Sequence, residues 1–401
     1  MSDRTRSEPR SVWSARADAA EQALTVRHLR RLFGLPGTEL AVVSWPAVWS
    51  HRLWLEWHYW WQAHLIDCLV DAQDREPTPQ RRRRIVRITR SHRLRNLTGW
   101  TNSYFDDMAW LGLALERADR VAGVRHRVGL AQLTDQLVDH WTERRVSDSG
   151  VVVRVGGLPW RRGADFFNTP ANGPAAILLA RTGHLGRAIR MADWLDGVVR
   201  DAGSGLVYDG VRVNTLMARE IYSYCQGVVL GVEVELARRV DPELHGVRAA
   251  RLVQAVAQHL CTAGVITGGS GGDGGLFNGI LARYLALVAT GLPGSTPTAV
   301  RARATATSIV LASAEACWHH RAEVAADGST LLPLFGHDWT SGAVVPTASA
   351  AVGGTVNGAI RPATVPERDL SVQLGGWMLL EAAARVSGER VAVGRPAGGA
   401  S

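Results

Sequence analysis

Apolar residues in this chain keep returning at steps of three and four. Between Arg52 and Asp74 they fall at Trp54, Trp57, Trp61, Leu65 and Cys68, while His64, Asp67, Asp71 and Asp74 trace a polar line at the same step. That is the α-helical period, and it puts the two lines on separate faces of one helix. Met108, Leu111, Leu115 and Ala118 form a second series, and Trp110, Leu113 and Ala114 fill its other side, so its first turns read as buried all round. A third runs through Ala188, Ala192, Leu195 and Val199, and a fourth through Phe277, Leu281, Tyr284 and Val288. Pro174, following Asn172-Gly173, is expected to open another helix that Gly183 closes. Short Val-rich pieces such as Gly150 to Gly156 read as strands in long loops. No train of strands alternates with the helices, which argues against a doubly wound sheet.

A long chain of helical hairpins must bury one face of every helix. Stacking into a solenoid does so, and so does closing into a ring, which leaves no end to cap. No interior Pro/Ser-type linker divides the chain. Asp327 to Arg368 is poor in helix signals and is expected to form long loops or a small hairpin. The expected organisation is an N-terminal segment (residues 1–40, partly flexible or a first helix), a single helical domain (41–387) and a flexible tail (388–401).

With 46% hydrophobic and 20% charged residues the chain is a folded one rather than a disordered one. All 45 basic residues are Arg, and the net charge of +8 favours anionic neighbours. The four cysteines, Cys68, Cys225, Cys261 and Cys317, are far apart, with no disulfide framework or zinc spacing among them. The first residues carry no apolar signal region and no stretch is long and apolar enough to span a bilayer, so a cytoplasmic protein is expected.

Fifteen Trp are present, six of them between Trp45 and Trp61. Trp packs well between helices, but Tyr104, Trp110, Trp160, Tyr208, Tyr222 and Tyr224 sit beside loops and polar residues, where flat rings stack on sugar C–H faces. Within Tyr104-Phe105-Asp106-Asp107-Met108-Ala109-Trp110, two adjacent carboxylates stand in apolar surroundings. One reading is a helix cap, with Asn102 or Asp106 capping a helix that starts near Met108. The other is glycoside hydrolysis, which needs one carboxylic acid to protonate the leaving oxygen and one carboxylate across the anomeric carbon. A retaining mechanism wants the two about 5–5.5 Å apart. The helix N-terminus would keep one aspartate ionised, and its charge would raise the pKa of the other.

The double-aspartate motif, with Asn102 before it, resembles the hallmark of glycoside hydrolase family 76, the endo-α-1,6-mannanase family. Further blocks are similar in order: Trp57 to Gln73, Trp160 with Asn168 to Arg181, Gly205 to Gly210, Tyr222 to Gly227, and Gly274 to Gly279 with Ala282-Arg283-Tyr284. The resemblance runs from about residue 50 to 290, with an echo at Gln373 to Ala384. It implies an all-α (α/α)6 barrel, retaining chemistry and an α-1,6-linked mannan or mannan-like (lipo)glycan substrate. By the same resemblance, Asp106 is the nucleophile and Asp107 the acid/base. Asn102, Tyr104, Trp110, Trp160, Asn168, Tyr208, Asp209, Tyr224, Gln226 and Phe277 are expected around the substrate. Neither a metal nor a redox cofactor is expected.

Cys225 and Asn278 depart from the family's pattern, where Asn and Lys are usual, and are expected to alter sugar contacts. Arg81 to Arg84, continued by Arg87, Arg90, Arg93 and Arg95, reads first as a solvated helix face, second as a surface for anionic membrane lipid, and least as a nucleic-acid site. Gly268 to Gly275 lacks the Lys-Ser/Thr of a phosphate loop and reads as a glycine-rich rim. His319-His320 and His337-Asp338 have no metal-ligand spacing. Two alternatives stay open: a non-catalytic mannan-binding protein, and another (α/α)6 sugar enzyme such as an unsaturated-uronide hydrolase or an epimerase.

Overall fold

The computed structural model describes residues 11–148, 151–212, 217–325 and 330–388. Among these, twelve long helices alternate along the chain: α1 (Val12–His28), α2 (Tyr59–Arg75), α3 (Pro79–Arg95), α4 (Phe105–Ala122), α5 (Arg127–Asp139), α6 (Thr169–Arg181), α7 (Leu185–Gly197), α8 (Ser223–Arg239), α9 (Pro242–His259), α10 (Phe277–Gly291), α11 (Pro297–His319) and α12 (Leu370–Val386). The even-numbered helices pack in sequence α2, α4, α6, α8, α10, α12, and α12 packs back on α2. They form a closed inner ring, and each odd-numbered helix covers the outside. This is the (α/α)6 barrel. Helix α1, within the N-terminal segment expected to be partly flexible or a first helix, is the sixth outer helix and packs on α12. The expected C-terminal tail from 389 onward lies outside the described residues, and no described helix is long and apolar enough to cross a membrane.

All inner helices start at one end of the ring, and the connections differ sharply between the two ends. At the far end they are the short segments 76–78, 123–126, 182–184, 240–241 and 292–296. At the near end they are the long ones 29–58, 96–104, 140–168, 198–222, 260–276 and 320–369. Capping follows the same division. Ser11, Thr78, Asp241 and Thr296 cap outer helices α1, α3, α9 and α11 through side-chain oxygens, three of them ahead of a proline in the first turn. Five of the six inner helices start with no side-chain cap; only α6 has one, from Asn168. Their first N–H groups therefore face whatever occupies the near end.

Several boundaries differ from the periodicity. Helix α2 begins at Tyr59, not Arg52, because Trp54 and His58 both take left-handed backbone angles that interrupt a helix. Helix α6 begins at Thr169 and runs through Pro174, which lies inside rather than at the start. The Asn168 cap and Pro170 set that start. Helix α4 begins at Phe105, so Asp106 and Asp107 occupy its first turn and neither Asn102 nor Asp106 is its N-cap. Helices α10 and α12 touch backbone to backbone: a Cβ on Gly279 would lie 2.7 Å from the Gly375 Cα.

His64, Asp67 and Asp71 of the polar line of α2 face the barrel axis, while Asp74 is exposed. Asp67 and Asp71 there meet Arg117 of α4 and Arg283 of α10, with Arg283 at 2.7 Å from each aspartate. Burial alone would raise the Asp71 pKa, but the two guanidiniums outweigh it and hold it at about 2. Part of the arginine run of α3 is likewise engaged internally. Arg81 is buried against Asp18 and Glu21, and Arg84 reaches Glu21 and Glu39, which tie α3 to α1 and its following strand. Arg81 and Arg84 thus form an interhelical seam, while Arg82, Arg83, Arg87, Arg90 and Arg93 are exposed, as the solvated-face reading expected.

Candidate active site

The uncapped starts of the inner helices converge on a cavity of about 610 Å³ at the near end of the ring. Asp106 and Asp107 project into it from the first turn of α4. The loop after the hairpin Thr142–Asp148/Val151–Gly157 is stitched to that turn, because the Phe105 N–H donates to the Trp160 carbonyl at 3.0 Å. This brings the Trp160 indole Nε1 to donate to Asp106 Oδ2 at 2.9 Å. Asp106 Oδ1 accepts from the Asp107 backbone N–H, also at 2.9 Å. Asp107 instead accepts from the Asn102 amide at 2.5 Å, and Asn102 is itself fixed by accepting from the Tyr104 N–H.

The two carboxyls therefore differ in environment. Burial raises the Asp106 pKa to about 7, against the two N–H donors that favour its anion. Burial and the facing Asp106 charge push Asp107 further up, well above the usual carboxylate range, with only the Asn102 amide opposing. Two N–H donors favour the anion on Asp106, and its charge favours the protonated form of Asp107. An ionised group beside a protonated one is the state that acid-assisted nucleophilic displacement requires.

The walls are aromatic. Tyr224 lies flat on Phe277, ring centroids 3.9 Å apart and planes 4° apart, with Tyr222 beside both. Trp60 and Trp110 stack at 6.4 Å on another side. Asn168 and Asp209 complete the lining there. Asp209 has one buried oxygen without a hydrogen-bond partner, and burial with the charges of Glu220 and Asp106 raises its pKa to about 7. That acceptor is free for a hydroxyl.

Of the residues expected around the substrate, Tyr104, Trp110, Trp160, Asn168, Asp209, Tyr224 and Phe277 line the cavity with the two aspartates. Asn102 stands one step behind, holding Asp107. Tyr208 and Gln226 stand outside the lining. Gln226 is fully buried and clamps the 198–222 connection, accepting from the Val207 N–H and donating to the Val207 and Tyr222 carbonyls. Tyr208 turns its hydroxyl to Asp201. Cys225 and Asn278, expected to alter sugar contacts, do neither: Cys225 is fully buried, and Asn278 accepts from Ser223 behind the wall.

Sequence reasoning passed over a third acid. Asp273 sits in the glycine-rich stretch, where Trp60 and Trp61 donate to one oxygen at 3.0 and 3.1 Å and the Ile360 N–H to the other at 2.7 Å. Burial raises its pKa to about 6. It anchors the two-stranded strap Thr355–Val356/Ala359–Ile360, whose Gly358 turn reaches Tyr104 and Trp160 and roofs the cavity. The available signal was its standing as the single charged residue in Gly268 to Gly275.

The Asp273 charge raises the pKa of both cavity aspartates. With Asp106 active as the anion, kcat/KM should rise with pH through about 7 and fall only at higher pH, as Asp107 deprotonates. Asp273→Asn should shift the rising limb to lower pH by on the order of half a unit to one unit. A pH–rate profile of the two proteins checks this, and an unmoved or upward-moved limb contradicts it.

The pattern of Glycosyl hydrolase family 76 matches the chain over residues 17–352. No curated protein matches it. Among solved structures, an α-1,6-mannanase from Salegentibacter sp. is similar over 93% of this chain and 99% of its own, at 25% identity and a TM-score of 0.74. An inactive variant of a Salegentibacter α-1,6-mannanase, two consecutive aspartates replaced by alanine, was solved with α-1,6-mannotetrose; it is similar over 94% of this chain and all of its own, at 24% identity and a TM-score of 0.75. A Listeria innocua protein is similar over 94% of this chain and 98% of its own, at 25% identity and a TM-score of 0.73.

Proposed function

We propose that this chain, which belongs to glycosyl hydrolase family 76, cleaves α-1,6-mannosidic linkages with retention of anomeric configuration, through a covalent glycosyl-enzyme on Asp106. The observation that carries this is the asymmetry of the buried pair. Asp106 receives two N–H donors that favour its anion, and Asp107 is held protonated by burial and by its neighbour's charge. The substrate class is supported by the Salegentibacter mannanase, where a variant lacking two consecutive aspartates is inactive and holds α-1,6-mannotetrose. Asp106-Asp107 is the only consecutive aspartate pair in this sequence.

The proposed reaction is a double displacement. The Asp106 carboxylate attacks the anomeric carbon while the Asp107 carboxyl gives its proton to the departing glycosidic oxygen, which leaves as an alcohol. Asp107, now anionic, takes a proton from water, and the hydroxide oxygen displaces Asp106 from the same face that the leaving group occupied. Asp106 returns as the anion and Asp107 as the acid. Tyr224 on Phe277 and Trp110 supply flat faces for neighbouring sugar rings, and Asn168 and the free Asp209 oxygen supply polar partners for hydroxyls. Proton NMR of the first products from α-1,6-mannooligosaccharide tests the reading: the α-anomer should appear first and mutarotate later. Initial β-anomer would overturn retention, and binding without turnover would overturn hydrolysis.

A further inference from the structure

The near end of the barrel carries a second feature beside the cavity mouth. Phe33, Leu35, Trp49, Leu53, Leu55 and Leu97 are all exposed there, Trp49 at 70% and Leu97 at 90%. Three segments bring them together. The Phe33 ring meets Trp54 edge-on at 5.7 Å, Gly37 lies against the Arg90 guanidinium, and Arg95 of α3 donates to the Trp54 carbonyl at 2.9 Å. The Leu97 turn is held out by design of its bonds. Leu97 and Thr98 both adopt left-handed angles, φ 52° and 63°, which cost free energy in residues with a Cβ. The Asn96 amide donates to the Gly99 and Thr101 carbonyls, and Arg93 Nε donates to the Thr98 carbonyl at 2.9 Å, fixing that turn.

Arginines accompany these tips: Arg31 near Phe33, Arg52 beside Leu53, and Arg90 and Arg93 on the last turns of α3. None of the four pairs with a carboxylate among the described residues. The nearby acids are few, and Glu39 is already engaged by Arg84 and Arg87 while Glu56 lies by His51. The earlier part of α3 sends Arg81 and Arg84 to carboxylates of α1 and the segment after it; the later part leaves Arg90 and Arg93 without a carboxylate. Single apolar tips interleaved with guanidiniums that no carboxylate neutralises match the boundary of an anionic bilayer, where side chains such as Trp and Leu enter the acyl edge and cations stay at the phosphates.

We propose that this face docks the enzyme on anionic phospholipid bilayers, with Leu97, Trp49 and Phe33 inserting and Arg31, Arg52, Arg90 and Arg93 at the headgroups. Because α3 ends where α2 begins, the docked face adjoins the cavity mouth. The substrate class that suits this orientation is a mannoside chain carried on a lipid. That last step rests on the hydrolase reading; membrane docking itself does not.

The test is cosedimentation of the full chain with vesicles of equal phosphatidylglycerol and phosphatidylcholine, and with phosphatidylcholine alone, at low and high salt. Binding to the anionic vesicles alone is expected, and it should weaken at high salt. Leu97→Asp combined with Trp49→Ala should lower binding at least tenfold, as should Arg31→Glu combined with Arg90→Glu. Both pairs should keep the helical circular dichroism and the hydrolysis of soluble mannooligosaccharide, since neither touches the cavity. No binding by the wild type at low salt would overturn the proposal, and so would binding that both double variants retain. A wild-type dimer in sedimentation equilibrium that Leu97→Asp dissociates would assign the face to a second copy instead. Soluble-substrate turnover is read separately, so failure of docking and failure of the hydrolase reading stay distinct.

Discussion

Replacing Asp106 by alanine is expected to lower turnover of α-1,6-mannooligosaccharides by at least ~10⁴-fold, because it removes the proposed nucleophile of the glycosyl-enzyme. Asp107→Ala should cost about 10²–10⁴-fold, the usual contribution of a positioned general acid. The two variants should part company on an aryl mannoside whose leaving group needs no proton. There Asp107→Ala should still form the intermediate quickly, and added azide should release it as the α-mannosyl azide, attacking the face water would use. With Asp106→Ala the cavity left by the carboxylate admits azide directly to the anomeric carbon, and the product should be the β-azide. Product NMR distinguishes the outcomes. The opposite azide stereochemistry in the two variants would exchange the roles of the aspartates, and full activity in either would remove the pair from the mechanism.

The largest loss of stability is expected away from the cavity, in the four-residue ionic cluster on the barrel axis. Arg283→Ala leaves Asp67 and Asp71 with Arg117 as their remaining guanidinium in a buried site. Breaking one partner of such a cluster typically costs about 3–5 kcal/mol. Chemical denaturation followed by circular dichroism should show that loss. Arg125→Ala, which removes an exposed pair with Asp119, should change stability by no more than about 0.5 kcal/mol. The sign with pH is fixed by Asp71. Its folded pKa of about 2 lies below its ordinary value of 3.8, so its contribution is fully present above that ordinary value and is lost as pH falls through the folded one. The stability difference between wild type and Asp71→Asn should shrink on acidification across that window, and a difference that grows would contradict this. Equal losses in the buried and exposed variants would show that the axial cluster is no keystone.

The helical period made most inner helices legible, because burial of one stripe repeats at a fixed step whatever the partner. It located their ends less well. Trp54 and Trp57 fit the step of α2 yet lie in the connection before it, because apolar spacing says nothing of the left-handed angles at Trp54 and His58. Charge was only partly legible where it was densest: Arg82 and Arg83 are exposed as expected, but only the packing of α1 shows Glu21 and Asp18 meeting Arg81 across the seam. Asp106 and Asp107 were legible because two adjacent acids in apolar sequence demand a reason. Asp273 was not, because its partners Trp60, Trp61 and Ile360 come from segments far away in the chain. Gln226 stood in a family motif but its amide is consumed by backbone, a role that a motif does not display.

The unequal connections at the two ends of the ring have a consequence for how such a chain can change. The short far-end turns sit beside the capped starts of most outer helices, so an insertion there would reach the packing that holds the ring closed. The near-end segments carry Trp160, Asp209, Asp273 and the strap, and they leave the ring's helix-to-helix contacts alone. Heritable variation in what is bound and in what is merely kept folded is thus written in separate peptides, and a lineage can lengthen or exchange one set while the other stays under purifying constraint.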